Sequence, residues 1–350
     1  MNKFLDEILE QPTALKDTLE FYESGEGKDR LQRAINLCQG IEIAGILLTG
    51  MGSSFFTSYL ASCLLSTNGI TAFAINASEL LHYHFSLLRK DTVLVGVSQS
   101  GESFEIIEIL KRLPRGVPCL SVTNETSSRL AKMGTEVLLS KAGHEEMTST
   151  KSYISIALVK LIFSWALAGK WTDAKKGEIL QLIDNFDKLL GSHQDWMPRI
   201  SQFLGPYDYI ELIGRGPSYS SVLQGSLMFK EAVRNPAGGA LGGEFRHGPM
   251  EMVREGFSAV VFAPEGRTFN QSLKMAKDIA KFDGKVMILS NKDLQLADPN
   301  IHVFTLDVKD EYLFAIGSIL PLQFMVNSRA IELGREPGYF TRGAKITKSE

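Results

Sequence analysis

The sequence is poor in cysteine: Cys38, Cys63 and Cys119 are the only three in 350 residues. Their number is odd, their spacing is wide and no Cys-x-x-Cys pair occurs. A disulfide framework and a thiolate zinc site are therefore excluded, and three reduced thiols in a cytoplasmic protein are expected. Histidine is also sparse, with six residues: His82, His84, His144, His193, His247 and His302. No His-x-x-x-His occurs, and His82 and His84, two positions apart, are expected on different faces of a helix. No metal is expected. The most apolar long stretch, Tyr153–Ala168, is broken by Lys160 and is too short to span a bilayer, so it reads as a buried helix. Met1–Leu9 carries Lys3, Asp6 and Glu7 and lacks the apolar segment of a secretory signal. Excess positive charge is missing too. The net charge of −3 removes nucleic acid, and the lack of a spanning segment removes the membrane, from the expected partners. There is no P-loop and no Gly-x-Ser-x-Gly elbow. Gly50-Met51-Gly52 begins a dinucleotide fingerprint, but Phe55 stands where its third glycine belongs and no acidic residue follows at the end of a second strand, so a nicotinamide cofactor is excluded.

What is present is an ordinary globular composition, with 44% hydrophobic and 22% charged residues and a length suited to about two domains. Short apolar runs alternate with helical patterns. Ile46–Leu48, Val93–Val97 and Cys119–Val122 read as buried strands, and Ser103–Leu113 as a helix with Ile106, Ile107, Leu110 and Leu113 on one face. The alternation restarts with strands at Tyr209–Ile213, Ala259–Phe262 and Val286–Leu289. Such alternation predicts an α/β fold with parallel sheets. Gly50-Met51-Gly52-Ser53-Ser54 follows a strand and opens a helix, and Gly214-Arg215-Gly216-Pro217-Ser218 does the same in the second half. Glu79-Leu80-Leu81-His82 and Glu244-Phe245-Arg246-His247 then follow these turns at nearly the same distance. Two motifs in one order at one spacing imply two homologous domains in tandem. A long helical stretch, about Thr150 to Gly191, lies between them.

Chemistry concentrates in two places. Val97-Ser98-Gln99-Ser100-Gly101-Glu102-Ser103 leaves a buried strand and opens a helix. Ligands of parallel sheets bind at the carboxyl ends of strands, where helix N-termini present free N–H groups. Hydroxyls and an amide there add donors for phosphate oxygens. One such loop is equally explained by Ser98 and Ser103 capping a helix. Two such loops in one domain, with Ser54, Ser98, Ser100 and Ser103, favour a phosphate site. The second place is Glu231 with Gly243-Glu244-Phe245-Arg246-His247-Gly248-Pro249. Glu231 is expected to end an amphipathic helix, and His247 to lie in a glycine- and proline-flanked loop. A carboxylate and an imidazole suit proton transfer between adjacent carbons and the opening of a sugar ring. Each alone is equally read as a solvated helix residue or a loop histidine bonded to backbone.

These residues, with Ser149-Thr150-Lys151, Phe229-Lys230-Glu231 and the tail Gly343-Ala344-Lys345, resemble the sugar isomerase (SIS) domain family from about Leu31 to the C-terminus. The overall likeness is to the isomerase half of glucosamine-6-phosphate synthase and to stand-alone deaminases. The resemblance implies two tandem SIS domains, each a doubly wound parallel sheet flanked by helices in three layers. An N-terminal helical segment would span residues 1–30, the first domain with its linking helices 31–195, the second domain 196–333, and a tail closing over the active site 334–350. It implies a phosphorylated sugar or amino sugar as ligand, held by Ser54, Ser98, Gln99, Ser100 and Ser103, with Ser149 on the sugar. It implies Glu231 as the base between C1 and C2, His247 as the ring-opening residue reaching a neighbouring subunit, and Lys345 as the tail lysine. A homodimer with shared active sites and no organic cofactor follow in the same way. The family's lysine and glutamate upstream of the base are replaced by Met228 and Gln224. The 350 residues contain no glutaminase segment and no N-terminal cysteine nucleophile, so ammonia release is expected rather than synthesis. The expected activity is an amino-sugar-6-phosphate deaminase/isomerase. The alternatives are a fructosamine 6-phosphate deglycase and a non-catalytic sugar-phosphate sensor.

Overall fold

The computed structural model describes residues 2–39, 43–342 and 345. The chain forms two compact units. The first comprises Glu10–Gly177 with Phe340–Glu350, the second Met1–Leu9 with Glu178–Tyr339. Each carries one five-stranded, wholly parallel sheet flanked by helices. The first sheet contains β1 (Gly45–Gly50), β2 (Ala72–Asn76), β3 (Thr92–Val97), β4 (Cys119–Thr123) and β5 (Glu136–Leu139), in the order β2-β1-β3-β4-β5. The second contains β6 (Ile210–Gly214), β7 (Ala237–Leu241), β8 (Ser258–Phe262), β9 (Lys285–Ser290) and β10 (Ile301–Thr305), in the order β10-β9-β8-β6-β7. Read from its other edge, the second order is the first with β6 in the place of β1. The tandem duplication expected from the motifs is thus present in the topology.

All six central strands lie where the apolar runs placed them. β3, β6 and β8 are buried at every position, because helices cover both faces of a parallel sheet. The four strands without a sequence signal are the four edges, β2, β5, β7 and β10, all partly exposed. β7, Ala237-Gly238-Gly239-Ala240-Leu241, has no β-branched residue at all.

Each sheet buries its own apolar cluster. In the first unit Leu47 and Leu94 pack with Leu80, Ile106, Ile107 and Leu110. The helix Phe104–Arg112 supplies the last three through the spacing read from sequence. In the second unit Ile213, Val261 and Ile288 pack with Phe245, Met275 and Ile279. The apolar stretch around Lys160 is the helix Lys151–Leu167, buried from Lys151 to Trp165 and packed against the helices Gln11–Glu23 and Ser53–Thr67. The Tyr22 hydroxyl donates to the Leu139 carbonyl at 2.8 Å, tying the helix Gln11–Glu23 to the edge strand. In the second unit the helix Lys3–Leu9 lies against Ile319–Glu332, and Asn2 Nδ2 donates to Asn327 Oδ1 at 2.7 Å. No described helix is long and apolar enough to cross a membrane. His82 ends the helix Ala77–His82 and His84 precedes a separate 3₁₀ turn, Phe85–Leu87, so the pair does not share the helix expected for it.

Candidate functional site

In the first sheet β1 connects outward to β2, and β3 connects in the opposite direction to β4, so the chain diverges between the neighbours β1 and β3. Crevices at such switch points, outside the carboxyl ends of strands, are where open α/β sheets hold ligands. Both serine loops lie there.

After β1 the chain turns into the helix Ser53–Thr67, with Ser54 buried in its first turn. Lys160, 1% exposed, lies under this turn. Its Nζ donates to Ser58 Oγ at 2.9 Å and to the Ser54 carbonyl at 3.3 Å. Burial disfavours the ammonium and pulls the amine well below the ordinary lysine range.

After β3 the loop Ser98–Ser103 folds on itself. Ser98 is buried, and its Oγ lies 2.9 Å from Ser103 Oγ while accepting from Gly101 N at 3.1 Å. Ser103 is at the N-cap position of the helix Phe104–Arg112 but makes no side-chain cap bond. Capping therefore does not explain this serine. Gly101 adopts φ +65°, and a Cβ there would meet Ser128 Oγ at 2.1 Å, so only glycine fits. Half-buried Gln99 is fixed through its carbonyl, which accepts from Thr123 Oγ1 at 3.1 Å and Asn124 N at 3.0 Å. Ser100 Oγ accepts from Glu102 N at 3.2 Å. The Glu102 carboxylate in turn accepts from Arg129 N at 2.8 Å and Arg129 Nε at 2.5 Å. Those bonds, the backbone one foremost, hold Glu102 below the usual carboxylate range.

Ser149, half-buried, lies just ahead of the helix Lys151–Leu167. The first turn of that helix is held by Glu145. Its buried carboxylate accepts from Thr150 N and Ser152 N, each at 2.9 Å, from Thr150 Oγ1 at 3.2 Å and from the Ser152 hydroxyl. A carboxylate on the free N–H groups of a helix start is favoured by bonding and by the helix dipole. Lys345 Nζ reaches the same group, 2.8 Å from Glu145 Oε2 and 2.6 Å from the Glu145 carbonyl oxygen. The tail lysine and the Ser149 turn thus share one anchor. Gly343 and Ala344, the rest of that tail motif, lie outside the described residues.

Glu231 and His247 belong to the second unit. Glu231 does not end a regular amphipathic helix. The helix Tyr219–Met228 is buried over most of its circumference and passes into a π-helical turn, Phe229–Val233, in which Glu231 is half-buried. Arg234, at φ +57°, ends the turn, and Asn235 N donates back to the Phe229 carbonyl at 3.1 Å. One-turn π segments recur at functional sites, because the wider turn re-aims a side chain. His247 caps the short helix Gly242–Arg246, donates its backbone N–H to the Glu244 carbonyl at 2.9 Å, and is exposed. Gln224 and Met228 are fully buried. Among the described residues no group of three or more His, Cys, Asp or Glu is placed to hold a metal ion.

A profile of the SIS domain matches residues 43–164 and 208–333, one match over each sheet. The chain belongs to the SIS domain family. The SIS chain is 29% identical over 339 residues to the glutamine–fructose-6-phosphate aminotransferase (isomerizing) of Pyrococcus horikoshii, covering 95% of itself and 55% of that protein. It therefore spans about half the length of the relatives it matches. Its fold superposes on the C-terminal domain of glucosamine-fructose-6-phosphate aminotransferase from Francisella tularensis with a TM-score of 0.83, at 21% identity, covering 97% of this chain and 98% of that one. It superposes on glucosamine-6-phosphate deaminase from Thermotoga maritima with a TM-score of 0.71, at 20% identity, covering 99% of each chain. Sequence reading of the SIS chain missed Glu145, although it lies four residues before the Ser149-Thr150-Lys151 motif. It noticed Lys160 only as an interruption, although a lone charge inside an apolar helix is itself a signal.

Proposed function

We propose that this SIS protein is an amino-sugar-6-phosphate deaminase/isomerase, acting as a homodimer in the cytoplasm. The observation that carries the reading is the Ser98–Ser103 loop at the carboxyl edge of a switch-point strand, where the Ser103 hydroxyl meets Ser98 instead of capping the helix that it precedes. Neutral donors on a rigid turn suit a phosphate monoester. Ser54, Ser98, Gln99, Ser100 and Ser103 hold the phosphate, and Ser149 contacts the sugar. His247 promotes ring opening and serves the partner subunit's site. Glu231 takes the C2 proton of the open 2-amino aldose and returns it at C1, giving a ketose imine that water cleaves to ketose 6-phosphate and ammonia. Lys345, held by Glu145, closes on the opened sugar.

Incubation with glucosamine 6-phosphate and an enzymatic ammonia assay test this. Turnover is expected, and Glu231→Gln is expected to lower kcat by about 10²–10⁴-fold with KM little changed. No ammonia from any 6-phosphorylated amino sugar would reject the deaminase, and undiminished turnover in the variant would remove Glu231 from the chemistry.

The burial of two neutral side chains, Gln224 and Met228, favours a second reading. They occupy positions where amino-group chemistry in the family has a carboxylate and an ammonium. A fructosamine 6-phosphate deglycase releases an amino acid instead of ammonia, and assaying both products from both substrates separates the two activities.

A further inference from the structure

The duplication lets the two copies be compared position by position. Gly50 on β1 pairs with Asn76 on β2, and Gly214 on β6 pairs with Leu241 on β7. The next residue on the inner strand is Met51 in one copy and Arg215 in the other. The next residue on the edge strand is Ala77 in one and Gly242 in the other. Met51 packs against the apolar core of the first unit. Arg215 lies instead over the start of the helix Gly242–Arg246. A Cβ on Gly242 would come within 2.8 Å of Arg215 Nε, and one on Gly243 within 3.6 Å of Nη1. The second copy has therefore exchanged a packing residue for an arginine and lost the methyl group that would have blocked it.

Among the described residues none bonds this arginine. Its Nε is buried without a hydrogen-bond acceptor. The Ser218 hydroxyl is likewise buried without a partner, on a residue 1% exposed that takes the place of Ser54. Among the described residues no carboxylate pairs with Arg215. Burial, and then the like charge of Arg246, depress its guanidinium below the ordinary range. Arg246 is tied to Asp278 at 2.7 Å. A half-buried arginine whose buried Nε has no acceptor is costly to keep unless an anion joins it.

We propose that Arg215, beside Arg246, is an oxyanion subsite of the second unit that takes a carboxylate or phosphate group of a small molecule, in addition to the phosphate gripped by the serine loops. The planar guanidinium matches either group bidentately. The anion has two possible sources. One is a separate phosphorylated molecule. The other is the carboxylate of the amine half of the substrate, as in an amino-acid fructosamine 6-phosphate, and this source alone rests on the function proposed above.

Titration calorimetry of the full chain with inorganic phosphate tests the subsite in a Ser98→Ala/Ser100→Ala background. Phosphate binding is expected to persist there and to weaken by about tenfold or more when Arg215→Gln is added. Arg215→Lys, which keeps the charge if the Gln variant folds poorly, should fall in between. Loss of phosphate binding with Arg215 intact, or no effect of Arg215→Gln, would overturn the subsite. A kinetic arm then identifies the source. A rise in KM confined to a fructosyl-amino-acid 6-phosphate assigns the carboxylate. Unchanged KM for that compound and for glucosamine 6-phosphate, with phosphate binding lost, assigns a separate anion. An equal fall in kcat for both substrates at unchanged KM would make Arg215 part of the catalytic step and reject the proposal. If neither compound turns over, the enzyme reading fails while the calorimetry still decides the subsite.

Discussion

Ser103 occupies the position from which a serine ordinarily bonds the first turn of a helix, yet its hydroxyl meets Ser98. That bond removes helix capping as the reason for a serine at position 103. Sequence alone leaves capping and binding balanced, since both require serine at the same spacing. The glycine between them is decisive in another way. Gly101→Ala forces a methyl group onto Ser128 and a side chain into left-handed backbone. It should lower unfolding stability by at least about 1–3 kcal/mol in urea titrations and weaken sugar-phosphate binding as well. An alanine variant of wild-type stability would mean that the loop is free to relax. Glu145 was missed because the bonds that give it a role, to the N–H groups and hydroxyls of the turn ahead of it and to a lysine 200 positions away, follow no sequence spacing that marks a carboxylate. A double-mutant cycle of Glu145→Gln and Lys345→Met, read in kcat/KM, should show a coupling on the order of 1–3 kcal/mol. Strict additivity would mean that the two act independently.

At the scale of the element, legibility followed burial. Central strands, covered on both faces, must be continuously apolar and announce themselves. Edge strands such as Ala237–Leu241 need satisfy only one neighbour and carry no such constraint. The π-helical turn at Glu231 was equally hidden, for it is a matter of backbone register and leaves the apolar spacing nearly unchanged. The helix Lys151–Leu167 was recognised as buried, but the state of its lysine was not. Because Lys160 titrates below its ordinary 10.5 in the folded chain, the unfolded chain holds a proton there that the folded chain has released. Stability from this residue therefore rises as pH climbs toward 10.5, and falls as pH drops until the folded form is protonated too. Lys160→Met should remove that slope. The variant should be more stable than the parent by on the order of 1 kcal/mol near neutral pH, with the difference closing toward pH 10.5. A constant difference across that range, in pH-dependent thermal melts, would show that the amine is not the cause.

Across the whole molecule, the repeated motifs disclose the duplication, because glycine-led turns and the acidic residue after the edge strand are tied to strand order. The two units also trade their chain ends. The helix Lys3–Leu9 is integral to the unit that begins at Glu178, and Lys345 completes the unit that begins at Glu10. A ribosome emitting this chain cannot finish the earlier unit when its last strand emerges; the closing ammonium arrives only after the later unit has been translated. Neither half can be expressed as an uninterrupted fragment without forfeiting a piece of itself. A circular permutant that opens the chain elsewhere must still thread both crossings. Cutting the gene at the midpoint is thus expected to yield two incomplete polypeptides that recover activity only when produced together.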